Sequence, residues 1–305
     1  VIDRATRRAL EDALGDGIRF DVPMARYTSL RVGGPADALA MPATRAELAR
    51  LLGLCAVHRL PHAVLGAGFN TLALDQRIQG VVIQMGRFRR LEERPGGLLR
   101  AEVGVSHAQL TNFCCQRGLA GLSFGAGIPG SVGGWLAMNA GIPGREVKDV
   151  VREVEVMSPT GRRVSRLPRS ALRFVYRALR GLAPGSVLLS ALLEVAVAEP
   201  DAVRVEVERG LARRAATQPL DVPTCGSVFK NPPGDFAGRL IEAAGLKGRR
   251  IGGAQISPVH ANFICNLGGA TAEDILALME EARTAVRRAT QKRLVAEVRL
   301  LGRKA

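Results

Sequence analysis

Between Gly118 and Gly144 the chain runs GLAGLSFGAGIPGSVGGWLAMNAGIPG without one charged residue. Nine glycines and two prolines lie in that stretch. Each interior glycine costs a helix roughly 1 kcal/mol relative to alanine and each proline about 3 kcal/mol. Neither a long helix nor a membrane span is expected from it, in spite of its length. The expectation is a buried loop. Such a loop must find partners for its backbone N–H groups, and glycine permits both positive φ and close approach of main chain to a ligand. A phosphate-bearing cofactor would supply those partners. A packing loop without a ligand is the plainer alternative.

Within the stretch, Gly125-Ala126-Gly127-Ile128-Pro129-Gly130 has the spacing G-x-G-x-x-G. A dinucleotide fingerprint of the Rossmann kind needs a β-strand before those glycines and a helix after them. Here Gly-Leu-Ser-Phe precedes and Ser131-Val132-Gly133-Gly134 follows, so the context argues against that fingerprint.

The formal charge of +15 comes from 43 basic residues, of which five are lysine. That bias reflects either the base composition of the coding DNA or anionic ligands, for which the guanidinium fork is suited. Nucleic acid is a third possibility, opposed by the scatter of the arginines and by 4% aromatic content, too little for base stacking. With 47% apolar residues the chain is globular,. Its five cysteines are odd in number and lack C-x-x-C spacing, so free thiols are expected, with neither a disulfide framework nor a metal site. The first twenty residues are charged and amphipathic, unlike a secretory signal,. The expected setting is cytoplasmic, with no membrane and no nucleic-acid partner, and the expected state is a monomer.

The periodicity divides the chain into three segments, 1–90, 91–198 and 199–305, of α+β character. In the first, a helix over 3–14 precedes an extended run from Tyr27 to Pro35 and a strand near Ala38–Met41. Thr44 with Glu47 then opens a helix as a capping box. In the second, Ser106 caps a helix that Gly118 ends, and Ser186–Val197 is a long apolar strand. The third has a basic helix over Ala202–Ala216, a helix at Phe236–Ala244, a helix opened by Thr271 with Asp274, and a closing strand at Leu294–Leu301.

Three glycine turns stand out: Val32–Pro35, Gly66–Asn70 and Gly125–Gly134. Uncharged turns that present backbone N–H groups can hold a pyrophosphate without lysine. A ligand gripped by all three would be the size of a dinucleotide.

These turns belong to a longer ordered series. Leu30-Arg31-Val32-Gly33-Gly34-Pro35, Gly66-Ala67-Gly68-Phe69-Asn70, Gly127-Ile128-Pro129-Gly130-Ser131-Val132-Gly133-Gly134, Met138-Asn139-Ala140-Gly141, Phe174-Val175-Tyr176-Arg177, Gly226-Ser227-Val228-Phe229-Lys230-Asn231-Pro232 and His260-Ala261-Asn262-Phe263 follow one another. Together the series resembles the UDP-N-acetylenolpyruvoylglucosamine reductase family, in its shorter form without an extra substrate-covering loop. The resemblance implies a two-part FAD-binding module of the vanillyl-alcohol-oxidase type followed by a C-terminal substrate domain, with noncovalent FAD and with NADPH as reductant. It implies reduction of an enolpyruvyl ether to a lactyl ether in peptidoglycan precursor synthesis.

By that resemblance the cofactor contacts are Val32, Gly33, Gly34, Gly66, Ala67, Gly68, Phe69, Asn70, Gly125, Gly127, Ile128, Pro129, Gly130, Ser131, Gly133, Gly134, Asn139 and Gly141. The substrate contacts are Tyr176, Lys230, Asn231 and His260. Negative charge built on the carboxylate side of the substrate needs a cation, a hydrogen-bond donor and a proton donor. The resemblance assigns Arg177 as the fixed cation, Glu297 as a protonated carboxyl beside the substrate carboxylate, and Ser227 as the proton donor.

Each has a plainer reading from its local sequence. Glu297 falls in an alternating run where a carboxylate usually faces solvent, Ser227 follows glycine as turn serines do, and Arg177 is one arginine among many. Regular alternation would turn Gly226 away from the face that Ser227 presents, and Cys225 reads as a small packing residue. The chain departs from the family pattern at Phe69 and Leu179, where serine is usual. An oxidase or dehydrogenase of another sugar or alcohol on the same FAD module is the alternative function, although it has no evident use for the Gly226–Pro232 motif.

Overall fold

The computed structural model describes residues 2–302. Helices and strands are interspersed along the whole chain, and the described residues form two compact units. The first contains residues 2–20, 38–67 and 80–214, and the second contains 21–37, 68–79 and 215–302.

A four-stranded sheet takes the order Ile18–Pro23, Pro35–Ala40, Ile78–Gln84, His62–Leu65. The last two strands run parallel. Leu10 and Leu14 from the helix Arg4–Leu14 and Leu48, Leu51 and Leu52 from the helix Arg45–Val57 share a core with Val81 and Ile83 of the sheet. A second core lies against a five-stranded antiparallel sheet ordered Val164–Pro168, Val151–Met157, Val187–Glu194, Leu98–Glu102, Leu91–Arg94. There Leu110, Trp135 and Leu136 from two helices pack with Leu99, Val154 and Leu193.

Helix ends follow local chemistry. Ser106 and Gln109 make a full capping box for the helix His107–Arg117, and Gly118 at φ 61° ends it. Thr44 accepts from the Glu47 amide at 3.1 Å, but the Glu47 carboxylate bonds the amide of Ala43 at 2.8 Å instead of that of Thr44. The expected box there is displaced by one residue.

The second unit carries an antiparallel sheet ordered Thr224–Ser227, Phe263–Asn266, Ala254–Ile256, Arg250–Ile251. Against it pack Leu240 and Ile241 of the helix Ala237–Ala243 and Ile275, Leu278 and Met279 of the helix Ala272–Thr290. The Thr271–Asp274 box opens the latter helix as expected. Asp75 adds a second cap, accepting from the amides of Ala272 at 2.9 Å and Glu273 at 3.1 Å. Arg299–Leu301 pairs in parallel with Thr71–Ala73.

Four expectations are corrected. The uncharged stretch is not loop throughout, because Val132–Met138 is a helix. Its first-turn amides are taken up from outside, Val132 by the Val105 carbonyl and Gly133 by that of Val103, both at 2.9 Å. A Cβ on Gly133 would lie 2.9 Å from that of Val103, so the glycine that weakens the isolated helix is what lets it dock. Tertiary packing overrides propensity here. The Gly125–Gly130 motif is therefore followed by a helix, yet a 3₁₀ turn, Ser123–Gly125, precedes it in place of a strand.

The extended run from Tyr27 is a turn as far as Arg31, which has φ 54° and donates its amide to Thr28 at 3.1 Å. The apolar run Ser186–Val197 is two strands, Val187–Glu194 and Ala196–Val197. The closing strand is Arg299–Leu301 alone, with Ala296 bridged singly to Phe229. Glu297 and Val298 both aim their amides at the Val228 carbonyl, at 2.8 and 3.4 Å, so the ladder is irregular there. Among the described residues no helix is long and apolar enough to cross a membrane.

Candidate active site

The glycine turns of the first unit present unused donors. Gly127 at φ 70° and Gly130 at φ 117° bend the loop before the helix Val132–Met138. The amides of Gly127, Gly130 and Ser131 have no acceptor among the described residues. Ser131 is 4% exposed and its hydroxyl has no partner. A Cβ on Gly66 would lie 2.9 Å from that hydroxyl, whereas Gly134 opens onto free space. Gly125 instead lies against the Trp135 ring, with a Cβ there 3.0 Å from the indole. Gly141, half-buried beside Ile142 in a two-residue strand, leaves no room for a side chain, since its Cβ would be 2.2 Å from the Arg145 carbonyl.

The amides of Gly66, Ala67, Gly68 and Phe69 form a consecutive run without acceptors among the described residues. Successive free amides of this kind are the donors from which anion nests are built. Gly68 has φ 77°, and a Cβ on it would fall 2.0 Å from the Tyr27 carbonyl. In the second unit the Gly68 carbonyl accepts from Ser29 at 3.0 Å, and the buried Ser29 hydroxyl has no partner. Val32, Gly33 and Gly34 pack against the segment after Thr71–Ala73: side chains on the two glycines would lie 2.5 Å from the Ala73 Cβ and 2.0 Å from the Asp75 carbonyl. Asn70 at φ 51° ties this turn inward, donating its amide to Cys225 at 3.1 Å and its Nδ2 to the Glu297 carbonyl at 3.3 Å.

Orphaned amides and serine hydroxyls with no carboxylate among them suit the pyrophosphate of FAD. The residues present fit that cofactor.

Arg177 stands in the two-residue turn of a hairpin formed by Arg173–Val175 and Ala178–Arg180. Its φ is 57°, its guanidinium lies 4.9 Å from the Tyr176 ring centroid, and Nη1 is 4.0 Å from Glu146 Oε1. Tyr176 is 44% exposed, so the hairpin tip that carries the pair is open to a ligand. The brace is Asn139, fully buried at the end of the helix Val132–Met138. Its Nδ2 donates to Glu146 at 2.8 Å and to the Val175 carbonyl at 3.1 Å, and its Oδ1 accepts from Lys148 N at 3.2 Å. The side chain of Asn139 is thus spent on the protein, holding the hairpin that carries Arg177.

Ser227 ends the strand Thr224–Ser227 and is half-buried opposite Phe263. Between Thr224 and Ser227 the register slips, and Gly226 has φ 87°. This bulge breaks the regular alternation that would put Cys225 and Ser227 on one face, and Cys225 is buried at 3% in the hydrophobic core. Burial pushes its thiol up to about 12, with the neighbouring Cys265 and Glu297 adding to the shift.

Glu297 is half-buried, and its amide bonds the Val228 carbonyl next to Ser227. Lys230 donates its amide to Val295 at 2.9 Å. The second unit therefore brings Ser227, Lys230 and Glu297 onto adjoining backbone. Asn231 is placed differently, its Oδ1 accepting from Ala237 N at 3.0 Å at the start of a helix. His260 accepts at Nδ1 from Asn262 N at 3.2 Å and sits 4.8 Å from the Phe263 ring. Burial lowers its pKa, and accepting at Nδ1 leaves Nε2 as the ring's donor.

The local sequence gave no sign of Asn262 as a clamp. It is 3% exposed and bonds both polar groups of Phe229, accepting from N at 3.0 Å and donating to O at 2.8 Å, while its own carbonyl accepts from Val228 N at 2.9 Å. The sole sequence signal was its place in the His260–Phe263 motif. Glu146 was missed for the same reason, since its partners come from other elements.

These glycine turns, with a C-terminal α+β domain after them, are the arrangement of an FAD-binding module extended by one domain. Residues 36–165 match the FAD binding domain model, and residues 218–301 match the model of the UDP-N-acetylenolpyruvoylglucosamine reductase C-terminal domain. A solved glucose dehydrogenase, Phl p 4.0202, shares the fold with a TM-score of 0.50 at 12% identity, over 65% of this chain and 45% of that one. The crystal structure of UDP-N-acetylenolpyruvylglucosamine reductase from Thermus caldophilus matches with a TM-score of 0.80 and 35% identity, over 93% of this chain and 99% of that one. UDP-N-acetylenolpyruvoylglucosamine reductase 2 of Symbiobacterium thermophilum is 45% identical over 93% of this chain and 92% of its own length. The chain belongs to the UDP-N-acetylenolpyruvoylglucosamine reductase family.

Proposed function

We propose that the protein reduces the enolpyruvyl ether of UDP-N-acetylglucosamine enolpyruvate to UDP-N-acetylmuramate at the expense of NADPH, as a cytoplasmic monomer supplying peptidoglycan precursors. The observation that carries this reading is the joining, in one chain, of an FAD module to the reductase-type C-terminal domain that holds Ser227 and Glu297. In this reading 1–90 and 91–198 are the two flavin-binding parts and 199–305 binds substrate. Bound FAD supplies hydride transfer from NADPH to the substrate. The amides of Gly66–Phe69 and of Gly127, Gly130 and Ser131 grip its pyrophosphate. Turnover of the enolpyruvyl sugar nucleotide with NADPH tests the proposal, and a yellow protein that instead oxidises a simple sugar or alcohol overturns it.

The chain's own residues divide the remaining work. Arg177, oriented by Glu146 and by the Asn139 brace, holds positive charge at the substrate carboxylate. Glu297 lies beside that carboxylate, and the Ser227 hydroxyl delivers the proton to the carbon next to it. Tyr176, Lys230, Asn231 and His260 bind the sugar nucleotide, with His260 able to donate from Nε2.

Two outcomes follow for binding. No residue in the glycine turns is a clear attachment nucleophile, so acid precipitation should leave a colourless pellet and all flavin in the supernatant. Lys230→Ala should raise the substrate KM roughly tenfold, the scale of one lost hydrogen bond to a charged group, and the wild-type KM should climb with ionic strength. A KM unchanged by the substitution removes Lys230 from the binding site.

A further inference from the structure

The five-stranded sheet is apolar on one face and charged on the other. Along its three middle strands Val154, Ala191, Leu99 and Ala101 enter the core that holds Trp135. Successive side chains of a strand point to opposite faces, so Glu155, Ser190, Arg100 and Glu102 lie on the other side. The register sets Arg166, Glu155, Ser190 and Glu102 in one row across four strands. A cavity of about 120 Å³ opens on that row. At roughly 30 Å³ per water it has room for about four.

The floor of the cavity is buried and polar. Ser190 is fully buried, and its hydroxyl donates to Glu155 Oε2 at 3.1 Å while accepting from Arg100 Nη1 at 3.2 Å. Glu155 is buried too. Arg45 neutralises it through both guanidinium nitrogens, with Nη1 at 3.0 Å from Oε1, and Arg166 adds a contact at 3.7 Å.

The walls hold more positive charge than this floor requires. Arg45, Arg90, Arg94, Arg100 and Arg166 line the cavity against three glutamates, a formal excess of two positive charges. Glu153, outside the cavity, pairs with Arg100 at 3.1 Å and still leaves an excess. Glu92 is taken by Arg94 at 2.8 Å, and Glu102 accepts from the backbone amide of Arg90 at 2.8 Å. Among the described residues the exposed Arg90 guanidinium has no carboxylate partner. Cations gathered in this way repel one another, and a bound anion relieves the repulsion.

We propose that this cavity is an anion site for the phosphate group of inorganic phosphate or of a small phosphate monoester, with Arg90 and Arg166 as its binding cations. A phosphate dianion matches the excess charge, its four oxygens match the space, and the guanidinium fork matches its geometry. The cavity shares no residue with the glycine turns, the Arg177 hairpin or the strand of Ser227. The sheet itself stands between it and the helix Val132–Met138, whose Trp135 and Leu136 pack on the opposite face.

Calorimetric titration of the full, flavin-loaded chain with inorganic phosphate, at ionic strength held constant with chloride, should show a saturable site. Arg90→Gln should weaken it roughly tenfold, the scale of one lost charge-assisted hydrogen bond, and Arg90→Lys should keep most of the affinity. The double substitution Arg90→Gln with Arg166→Gln should abolish it. Phosphate should also raise the melting temperature of the wild type and not that of the double variant. Glycerol 3-phosphate tells the two sources apart: tighter binding of the ester assigns the cavity to a monoester, and tighter binding of inorganic phosphate assigns it to the free ion.

No saturable binding of either ligand overturns the proposal, as does equal affinity in wild type and Arg90→Gln. Phosphate held instead by the glycine turns would survive the double substitution, and that result overturns it as well. If the double variant does not fold, Arg90→Gln decides, since its side chain has no partner to lose.

Discussion

Ser227→Ala should leave reduction of the bound flavin by NADPH nearly unchanged and slow reoxidation by the enolpyruvyl substrate by about 10²–10⁴-fold, the usual contribution of a positioned general acid. The two halves differ because only the second needs a proton placed on carbon. The bulge at Gly226 bears on the size of the effect. It sends Cys225 into the hydrophobic core, so this neighbour is not placed as a substitute donor. Stopped-flow traces of each half for wild type and variant supply the comparison. Equal slowing of both, or of neither, would leave Ser227 as a structural residue only.

Asn262→Leu should destabilise the protein by about 2–5 kcal/mol, since a buried polar group left unpaired costs about 1–3 kcal/mol and both groups of Phe229 lose their partner. Phe229 is 1% exposed, so water cannot replace the lost bonds. The same clamp fixes the backbone from Val228 to Lys230, so activity should fall further than the folded fraction does. Asn262→Asp keeps the acceptor for Phe229 N but sets a buried carboxyl oxygen against Phe229 O, and it should destabilise as well. Denaturant unfolding of the three proteins gives the order, and a loss under 1 kcal/mol for leucine contradicts the clamp.

What could be read from the residues was what depends on neighbours in sequence. The Ser106 cap, the box of Thr271 with Asp274 and the stop at Gly118 are chemistry within a few residues, and each lies where the sequence placed it. The free amides around Gly66–Phe69 and Gly127–Ser131 depend on local glycine turns in the same way, whereas in the Val32–Pro35 turn Gly34 donates its amide to the Leu74 carbonyl. The helix Val132–Met138 was not legible, because its opening amides are satisfied by Val103 and Val105, which no local window includes. Asn139 reaches Val175 and Asn262 reaches Phe229, separations of 36 and 33 residues. Such side chains look like ordinary loop polar residues until the fold brings their partners in. The bulge before Ser227 is a similar case, since only the pairing with Phe263 reveals the slipped register.

The parallel pairing of Arg299–Leu301 with Thr71–Ala73 sets an order of events during synthesis. Roughly 230 residues separate the two strands, and at about 5–20 residues per second a ribosome needs on the order of 10–50 s to cover that distance. Through that interval the early segments 21–37 and 68–79 are already made while most of their unit, 215–302, is not. The first unit can condense as the nascent chain lengthens, whereas the second must assemble after translation has nearly finished. Its early strand waits unpaired, the condition in which chaperone capture or mispairing is most expected.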